Sequence, residues 1–121
     1  MFIYENNGIG IYNQDYQYDK IKNIAILVDQ DNASATEQFL LAAKQSKKVK
    51  IFGKTTFGAL DMSEINEVKS PDGNFILGYC ITRSLRIPNL PIDGIGIQPD
   101  YFLDETVLPY HWINFVINTF D

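Results

Sequence analysis

The segment that most constrains the fold is the apolar run Ile24–Val28, which is followed by a polar turn and then by a helical pattern over Thr36–Lys47. Five consecutive apolar residues are typical of a central strand that is covered on both faces. In the helical pattern, apolar residues recur three and four positions apart. A second apolar run, Val49–Phe52, completes a strand, a helix and a strand. We therefore expect a βαβ unit with a right-handed crossover.

The remaining patterns predict a hairpin and a closing helix. Met62–Lys69 and Phe75–Arg83 have strand-like compositions and flank the turn-forming segment Ser70–Asn74. The closing segment 104–121 is expected to form a helix, because it carries an apolar stripe at helical spacing. Residues 1–23 contain an Asn-Gly turn signal, which indicates a hairpin or an ordered loop. We interpret them as a connecting segment that precedes the first buried strand.

Composition limits the classes of partner and cofactor. The 121 residues form one domain or part of a larger one, with a net charge of −5 and no basic cluster interleaved with aromatics, which argues against nucleic acid as a partner. The apolar runs stop short of the roughly 20 residues that a membrane-spanning segment needs. No leader pattern of a signal peptide is expected within the chain. Neither a ligand cluster with zinc spacing nor a phosphate-binding loop is present, so we expect no cofactor.

Ser34 lies where the predicted strand leads into the helix, and it has two interpretations. Ser34 and Glu37 fit a capping box, in which the serine oxygen accepts the Glu37 N–H and the carboxylate accepts the serine N–H. Alternatively, the hydroxyl lies in the positive potential of the helix N-terminus, and the Ala35 N–H can donate to an oxyanion at the same place. The pattern alone favours the cap, because capping boxes far outnumber nucleophiles.

Four short motifs occur in order along the chain. They are a serine between two alanines in Ala33–Glu37, a Gly-x-x-Thr-x-Gly stretch at Gly53–Gly58, a turn at Pro71–Gly73, and the closing segment Asp93–Asp100. Together they resemble the C-terminal-processing, or tail-specific, serine peptidases, over the region 24–103. The resemblance implies the C-terminal part of a peptidase catalytic domain. It also implies an α/β fold with a crotonase/ClpP-like βαβ core, an added β-hairpin and a C-terminal helix, as an incomplete domain.

The resemblance also assigns roles to site residues. It implies that Ser34 forms an acyl-enzyme and that the Ala35 N–H stabilises the oxyanion. In the main branch of the family a lysine serves as general base, but Ala59 stands in its place here. The resemblance is therefore closer to the tricorn-like branch, which uses a histidine and an acidic residue. Asp93 stands at the acidic position, and it can equally be a turn residue before Gly94. His111 is the only histidine and follows the acidic position, so it is given no catalytic role.

The machinery implied by the resemblance is incomplete in this chain. The histidine base and the Gly-Gly oxyanion segment have no counterpart and are expected from outside it, so the chain alone is expected to be nearly inert. The implied partner is a peptide or protein substrate, and the implied source is bacterial. An incomplete domain leaves apolar surface uncovered, so we also expect self-association. The alternative is a non-catalytic peptide-binding or interaction module that kept the fold, and Ala59 is compatible with it as well.

Overall fold

The computed structural model describes residues 2–5, 8–11 and 21–120, and only the backbone of the first two segments. Residues 12–20 of the predicted connecting segment lie outside the described residues. The elements, in chain order, are β1 (Phe2–Glu5), β2 (Gly8–Ile11), β3 (Ile24–Val28), α1 (Ala35–Ala43), β4 (Val49–Gly53), β5 (Met62–Lys69), β6 (Ile76–Arg83), β7 (Tyr101–Phe102), a 3-10 turn (Pro109–His111) and α2 (Trp112–Phe120). The chain is thus a mixed α/β protein.

A parallel sheet of three strands, in the order β3-β4-β7, forms the centre of the described residues. β3 and β4 pair in parallel with Ile26 opposite Ile51, as expected for the predicted βαβ unit. Alternate side chains of these strands face opposite sides. Val28 and Ile51 pack with Leu40 of α1 on one side. On the other side, Phe52 packs with Trp112 and Val116 of α2, among other residues.

The prediction that β3 is covered on both faces is wrong for the described residues. β3 lies at the edge of the sheet, because β4 is its only partner there. Ile24 and Leu27 are 40% and 38% exposed, whereas Val28 is buried. The run is apolar enough for a central strand, but no described segment pairs with its outer edge.

Both helices are shorter than predicted. α1 ends at Ala43, with Lys44 as its C-cap, and a turn then leads into β4. α2 begins at Trp112, directly after the 3-10 turn at Pro109–His111, and further upstream the Asp104 carboxylate accepts the Thr106 N–H at 2.8 Å in a local turn that is not helical. Neither helix in the described residues has the length and apolar character needed to cross a membrane.

The predicted hairpin is present as the antiparallel pair β5 and β6, with Ile65 opposite Cys80. The Ser70 N–H donates to the Phe75 carbonyl at 2.9 Å and closes the turn. β5 is exposed along its whole length, and much of β6 is exposed as well. Leu77 and Ile81, for example, are 66% and 60% exposed. The hairpin therefore projects from the sheet with apolar side chains uncovered by the described residues.

Candidate active site

Ser34 occupies a sharp turn between β3 and α1. Its backbone has φ 52° and ψ −112°, a combination that costs a residue with a Cβ about 1–3 kcal/mol. The residue at this strained position is serine and not glycine, so the strained backbone carries a hydroxyl group. Strained strand-to-helix turns present the nucleophilic serine in α/β-hydrolases, although this sequence lacks their motif.

The turn opens onto a cavity of about 580 Å³, which we call the serine cavity. Ser34 and Ala35 are both exposed there. The walls are formed by Ser34, Ala35 and Gln38 at the start of α1, by Leu60, and by Ser63, Thr82 and residues 83–86 at the base of the hairpin. The structure therefore brings the predicted nucleophile and the predicted oxyanion donor to one open space.

Both halves of the predicted capping box are present at the start of α1. The Glu37 carboxylate accepts the Ser34 backbone N–H at 3.0 Å. The Ser34 side chain faces the Glu37 backbone N–H, although without the geometry of a regular hydrogen bond. The two interpretations of Ser34 are compatible, because a hydroxyl oxygen that faces one N–H still carries its own proton at the serine cavity.

The Ala35 N–H is a free donor beside the serine. The first N–H groups of a helix have no acceptor within the helix, and within residues 21–120 no acceptor pairs with this one. The positive end of the helix dipole lies at the same point. An oxyanion formed by attack of Ser34 on a carbonyl could therefore accept this hydrogen bond.

Glu37 is the side chain that holds the site together. It is 0% exposed. Its Oε1 accepts the Thr56 hydroxyl at 2.5 Å and the Gly58 N–H at 2.7 Å. Its Oε2 accepts the Ala59 N–H at 2.9 Å as well as the Ser34 N–H. The Ser34 turn is thereby fixed to the loop that follows β4.

The environment of Glu37 makes it a fixed acceptor and not a base. Burial by itself raises the pKa of the Glu37 carboxyl, because the charged form loses water. Hydrogen bonds from Thr56 and from the surrounding backbone N–H groups outweigh burial and lower the pKa below its ordinary value. A carboxylate that is ionised and engaged by four donors is poorly suited to take a proton from Ser34.

Thr56 connects Glu37 to the closing motif. Its Oγ1 donates to Glu37 and accepts the Ile97 N–H at 2.8 Å. The Thr56 N–H donates to the Ile97 carbonyl at 3.2 Å. Gly96 permits this approach, because its φ is 73° and a Cβ would lie 2.2 Å from the Thr56 carbonyl oxygen. The Ala33–Glu37 motif, the Gly-x-x-Thr-x-Gly motif and the closing motif thus meet around one buried carboxylate.

Asp93, the third predicted site residue, takes part in reciprocal contacts with Asp61. Its carboxylate accepts the backbone N–H groups of Leu60 and Asp61, each at 2.6 Å, and that of Met62 at 3.3 Å. Asp61 in turn accepts the Asp93 N–H at 2.9 Å. Asp93 is not among the residues that line the serine cavity. Its observed contacts position the start of β5, and a role toward an imidazole stays a prediction.

Asp61 also anchors the far wall of the cavity. It is 1% exposed and forms an ion pair with Arg86, with an N···O distance of 3.0 Å. Burial raises the pKa of the Asp61 carboxyl, but backbone hydrogen bonds from Asp93 and Ile92, together with the Arg86 guanidinium, lower it overall. The ion pair therefore fixes the segment after β6 to the start of β5.

The residues that line the serine cavity provide no general base for Ser34. They include no histidine, lysine or carboxylic acid, and arginine stays protonated in proteins. Lys54 lines a separate cavity beside Asp29. His111 is exposed and packs against Tyr110, with ring centroids 4.3 Å apart. If Ser34 acts as a nucleophile, its proton must go to a group beyond the residues that line the cavity.

Sequence reasoning missed several residues that build the site. The sequence places Glu37 in a capping box and in the Ala33–Glu37 motif, and Thr56 in the Gly53–Gly58 motif. It does not predict their contact, because residues 19 positions apart carry no local signal of one. Asp61 and Arg86 were not singled out. A lone acid and a lone arginine 25 positions apart show no pattern before the chain is folded.

Comparison with known proteins relates this chain to one family of peptidases and to serine proteases. The sequence profile of peptidase family S41 matches residues 4–103. A protein of Staphylococcus aureus (strain N315) named "Probable CtpA-like serine protease" is 33% identical over 115 residues, which cover 95% of this chain and 22% of that protein. A protein of the same name from Staphylococcus haemolyticus (strain JCSC1435) is 38% identical over 81 residues, or 67% of this chain and 16% of that protein.

A solved structure supports the same relationship. The photosystem II D1 C-terminal processing protease superposes with a TM-score of 0.53 and 33% sequence identity, over 72% of this chain and 22% of that one. The chain thus spans about a fifth of the length of these relatives. The predicted resemblance to C-terminal-processing serine peptidases is confirmed, and the chain belongs to peptidase family S41.

Proposed function

We propose that this chain is the nucleophile-bearing part of a serine peptidase, which hydrolyses peptide bonds through an acyl-enzyme at Ser34. The observation that carries the proposal is the strained, exposed turn of Ser34 beside the serine cavity. A serine that only caps a helix normally has an extended backbone. A positive φ at this position is therefore better explained by presentation of the hydroxyl than by capping.

The proposed reaction has two halves. Ser34 Oγ attacks the peptide carbonyl carbon while a base takes the hydroxyl proton, and the Ala35 N–H donates to the resulting oxyanion. The C–N bond then breaks, the base passes the proton to the leaving amine, and an ester remains on Ser34. Water attacks the ester with its proton going to the same base. Collapse of the second oxyanion returns that proton to Ser34 Oγ and releases the acid.

We propose a histidine from outside this chain as the base, as in the tricorn-like branch of the family. Ala59 stands where the main branch carries its lysine, and the serine cavity offers no base of its own. Asp93 would orient the imidazole. A carboxylate offers about four acceptor positions, and three backbone N–H groups donate to the Asp93 carboxylate. One position is thus left for an imidazole N–H.

We further propose that the described fold is an incomplete domain of crotonase/ClpP-like type. The outer edge of β3 is unpaired in the described sheet. A groove of about 430 Å³ lies between the end of α1 and the starts of β3 and β4, lined by Ile24, Phe39 and Val49 among other residues. A strand from the rest of the protein would pair with the outer edge of β3, and the segments joined to it would cover these apolar side chains. The Gly-Gly oxyanion segment would enter with that part of the protein.

The second candidate function is a non-catalytic peptide-binding module. The absence of a base among the residues that line the serine cavity favours it. A histidine and a Gly-Gly pair encoded upstream of residue 1 would favour the peptidase instead, because they would complete the machinery.

Labelling with a fluorophosphonate probe tests the proposed function. We expect labelling of Ser34 in the full-length protein, weak labelling of the 121-residue chain alone, and none after Ser34→Ala. Loss of a base lowers rates by about 10²–10⁴, and loss of an oxyanion donor by about 10²–10³. Ser63→Ala is the matched control, since Ser63 is a second hydroxyl of the cavity, hydrogen-bonded to Thr82 at 2.8 Å. Labelling that survives Ser34→Ala would refute the proposal.

A further inference from the structure

The serine cavity differs in charge from the rest of the chain. The whole sequence carries a net charge of −5. Among the residues that line the cavity, however, the only charged ones are Arg83 and Arg86. The start of α1 adds the positive end of a helix dipole at the same opening. The charged side chains that line this space are therefore positive within an acidic protein, whereas the nearby carboxylates of Glu37 and Asp61 are buried behind its walls.

The two arginines are not equivalent. Arg86 is paired with the buried Asp61, so much of its charge is compensated. Arg83 ends β6 and is exposed. No side-chain hydrogen bond or ion pair joins its guanidinium to any residue in the range 21–120. Arg83 thus brings an uncompensated positive charge to the rim of the cavity.

The surroundings of Arg83 suit an anionic group of the substrate. Ser63 and Thr82 hydroxyls form a hydrogen-bonded pair on the same wall, and Ser84 lies beside them. Hydroxyls can donate further hydrogen bonds to an anion. A guanidinium matches the planar geometry of a carboxylate and can bind it with two parallel hydrogen bonds.

We infer that Arg83 is a specificity-determining residue that binds a carboxylate of the peptide substrate close to the scissile bond. The inference rests on the proposed function, because it places this subsite in the cavity that Ser34 opens onto. The carboxylate is either the side chain of an aspartate or glutamate or the free C-terminus of the peptide. Both present the same group to a guanidinium, and the experiment below distinguishes them.

The test compares three peptides in the full-length protein. One is neutral with an amidated C-terminus, one carries a glutamate near the scissile bond and an amidated C-terminus, and one is neutral with a free C-terminus. We expect kcat/KM to be higher for one or both of the carboxylate-bearing peptides. Arg83→Gln should lower that value about 5- to 30-fold, since charge-assisted contacts are weakened at an exposed site, and should lower the value for the neutral peptide much less.

Two further variants distinguish the effect of a positive charge at the cavity from the effect of the net charge of the protein. Arg83→Lys keeps the positive charge and should retain part of the preference. Lys69→Gln removes a positive charge at the far end of the hairpin, opposite Ile76, and should change nothing. Raising the ionic strength should also reduce the preference for the anionic peptide.

The outcomes for the inference and for the proposed function are distinguishable. Ser34-dependent hydrolysis with equal kcat/KM for all three peptides, unchanged by Arg83→Gln, overturns the inference and leaves the proposed function standing. If no peptide is hydrolysed, the proposed function fails. Fluorescence anisotropy of the labelled peptides with Ser34→Ala, with and without Arg83→Gln, then decides the inference. Weaker binding of the carboxylate peptide on loss of Arg83 supports it, and equal binding overturns it.

Discussion

At the scale of single residues, Ser34 and Glu37 depend on each other. The strained backbone of Ser34 is held by a carboxylate three positions further along, which also binds the loop after β4. The sequence predicted the local half of this arrangement, because a serine followed three residues later by a glutamate is a recognisable pattern. It could not predict the contacts with Thr56, Gly58 and Ala59, which exist only after distant segments have packed together.

Replacing Glu37 with glutamine should both destabilise the chain and disable Ser34. One carboxylate oxygen becomes an amide group that donates, so two of the four donors around it lose their acceptor. We expect a loss of about 2–4 kcal/mol in the free energy of unfolding, measured by urea denaturation. In the full-length protein, labelling of Ser34 should fall even at temperatures where the variant is folded.

Glu67→Gln is the matched control, because Glu67 is an exposed glutamate on β5. It should change the free energy of unfolding by less than about 0.5 kcal/mol. Equal stability of the Glu37 and Glu67 variants would show that the buried carboxylate does not hold the turn.

At the scale of elements, the sequence patterns predicted the strands and the first helix, but they did not predict the contacts that join these elements. The strand, helix and strand from β3 to β4 and the hairpin β5–β6 occur close to the predicted bounds. Their periodicity is local, and local patterns survive folding. The reciprocal contacts of Asp61 and Asp93, which join the hairpin to the closing motif, have no such pattern.

Acid should lower the free energy of unfolding, because the Glu37 and Asp61 carboxylates join the elements to one another. The pKa values of Glu37 and Asp61 are lowered in the folded protein, so their ionised forms stabilise it relative to the unfolded chain. This contribution is complete above the unfolded pKa values, near about 4, and is lost as the pH falls through the folded values. We expect the free energy of unfolding to be level between about pH 7 and pH 5 and to fall below about pH 4.

Urea denaturation across this pH range measures the effect. The double variant Glu37→Gln and Asp61→Asn, if it folds, should be less stable at pH 7 and should lose less stability on acidification. A wild-type curve that stays level down to about pH 3 would refute the assignment, because below about pH 4 the carboxyl groups of the unfolded chain take up protons that the folded protein does not bind.

At the scale of the whole molecule, the described residues leave large apolar surfaces open. Leu77 and Ile81 on the hairpin and Ile24 beside the groove at β3 are examples. The sequence predicted an incomplete domain through its family resemblance. It did not indicate that β3 would lie at the edge of the described sheet, because an apolar strand has the same sequence pattern whether or not a second strand pairs with it.

Self-association of the 121-residue chain follows from these open surfaces. Light scattering should show an apparent mass that rises with protein concentration, because contact between copies buries apolar area. The double variant Leu77→Ser and Ile81→Ser should reduce the effect if the hairpin is the contact. A constant monomer mass at high concentration would contradict the prediction.

The central claim is that Ser34 forms the covalent intermediate. Its most direct test is mass spectrometry of the full-length protein, quenched in acid during turnover of a peptide ester and then digested. Our account predicts the acyl mass on the fragment that contains Ser34 and its loss in Ser34→Ala. An acyl group on another residue, or undiminished turnover by Ser34→Ala, would contradict it.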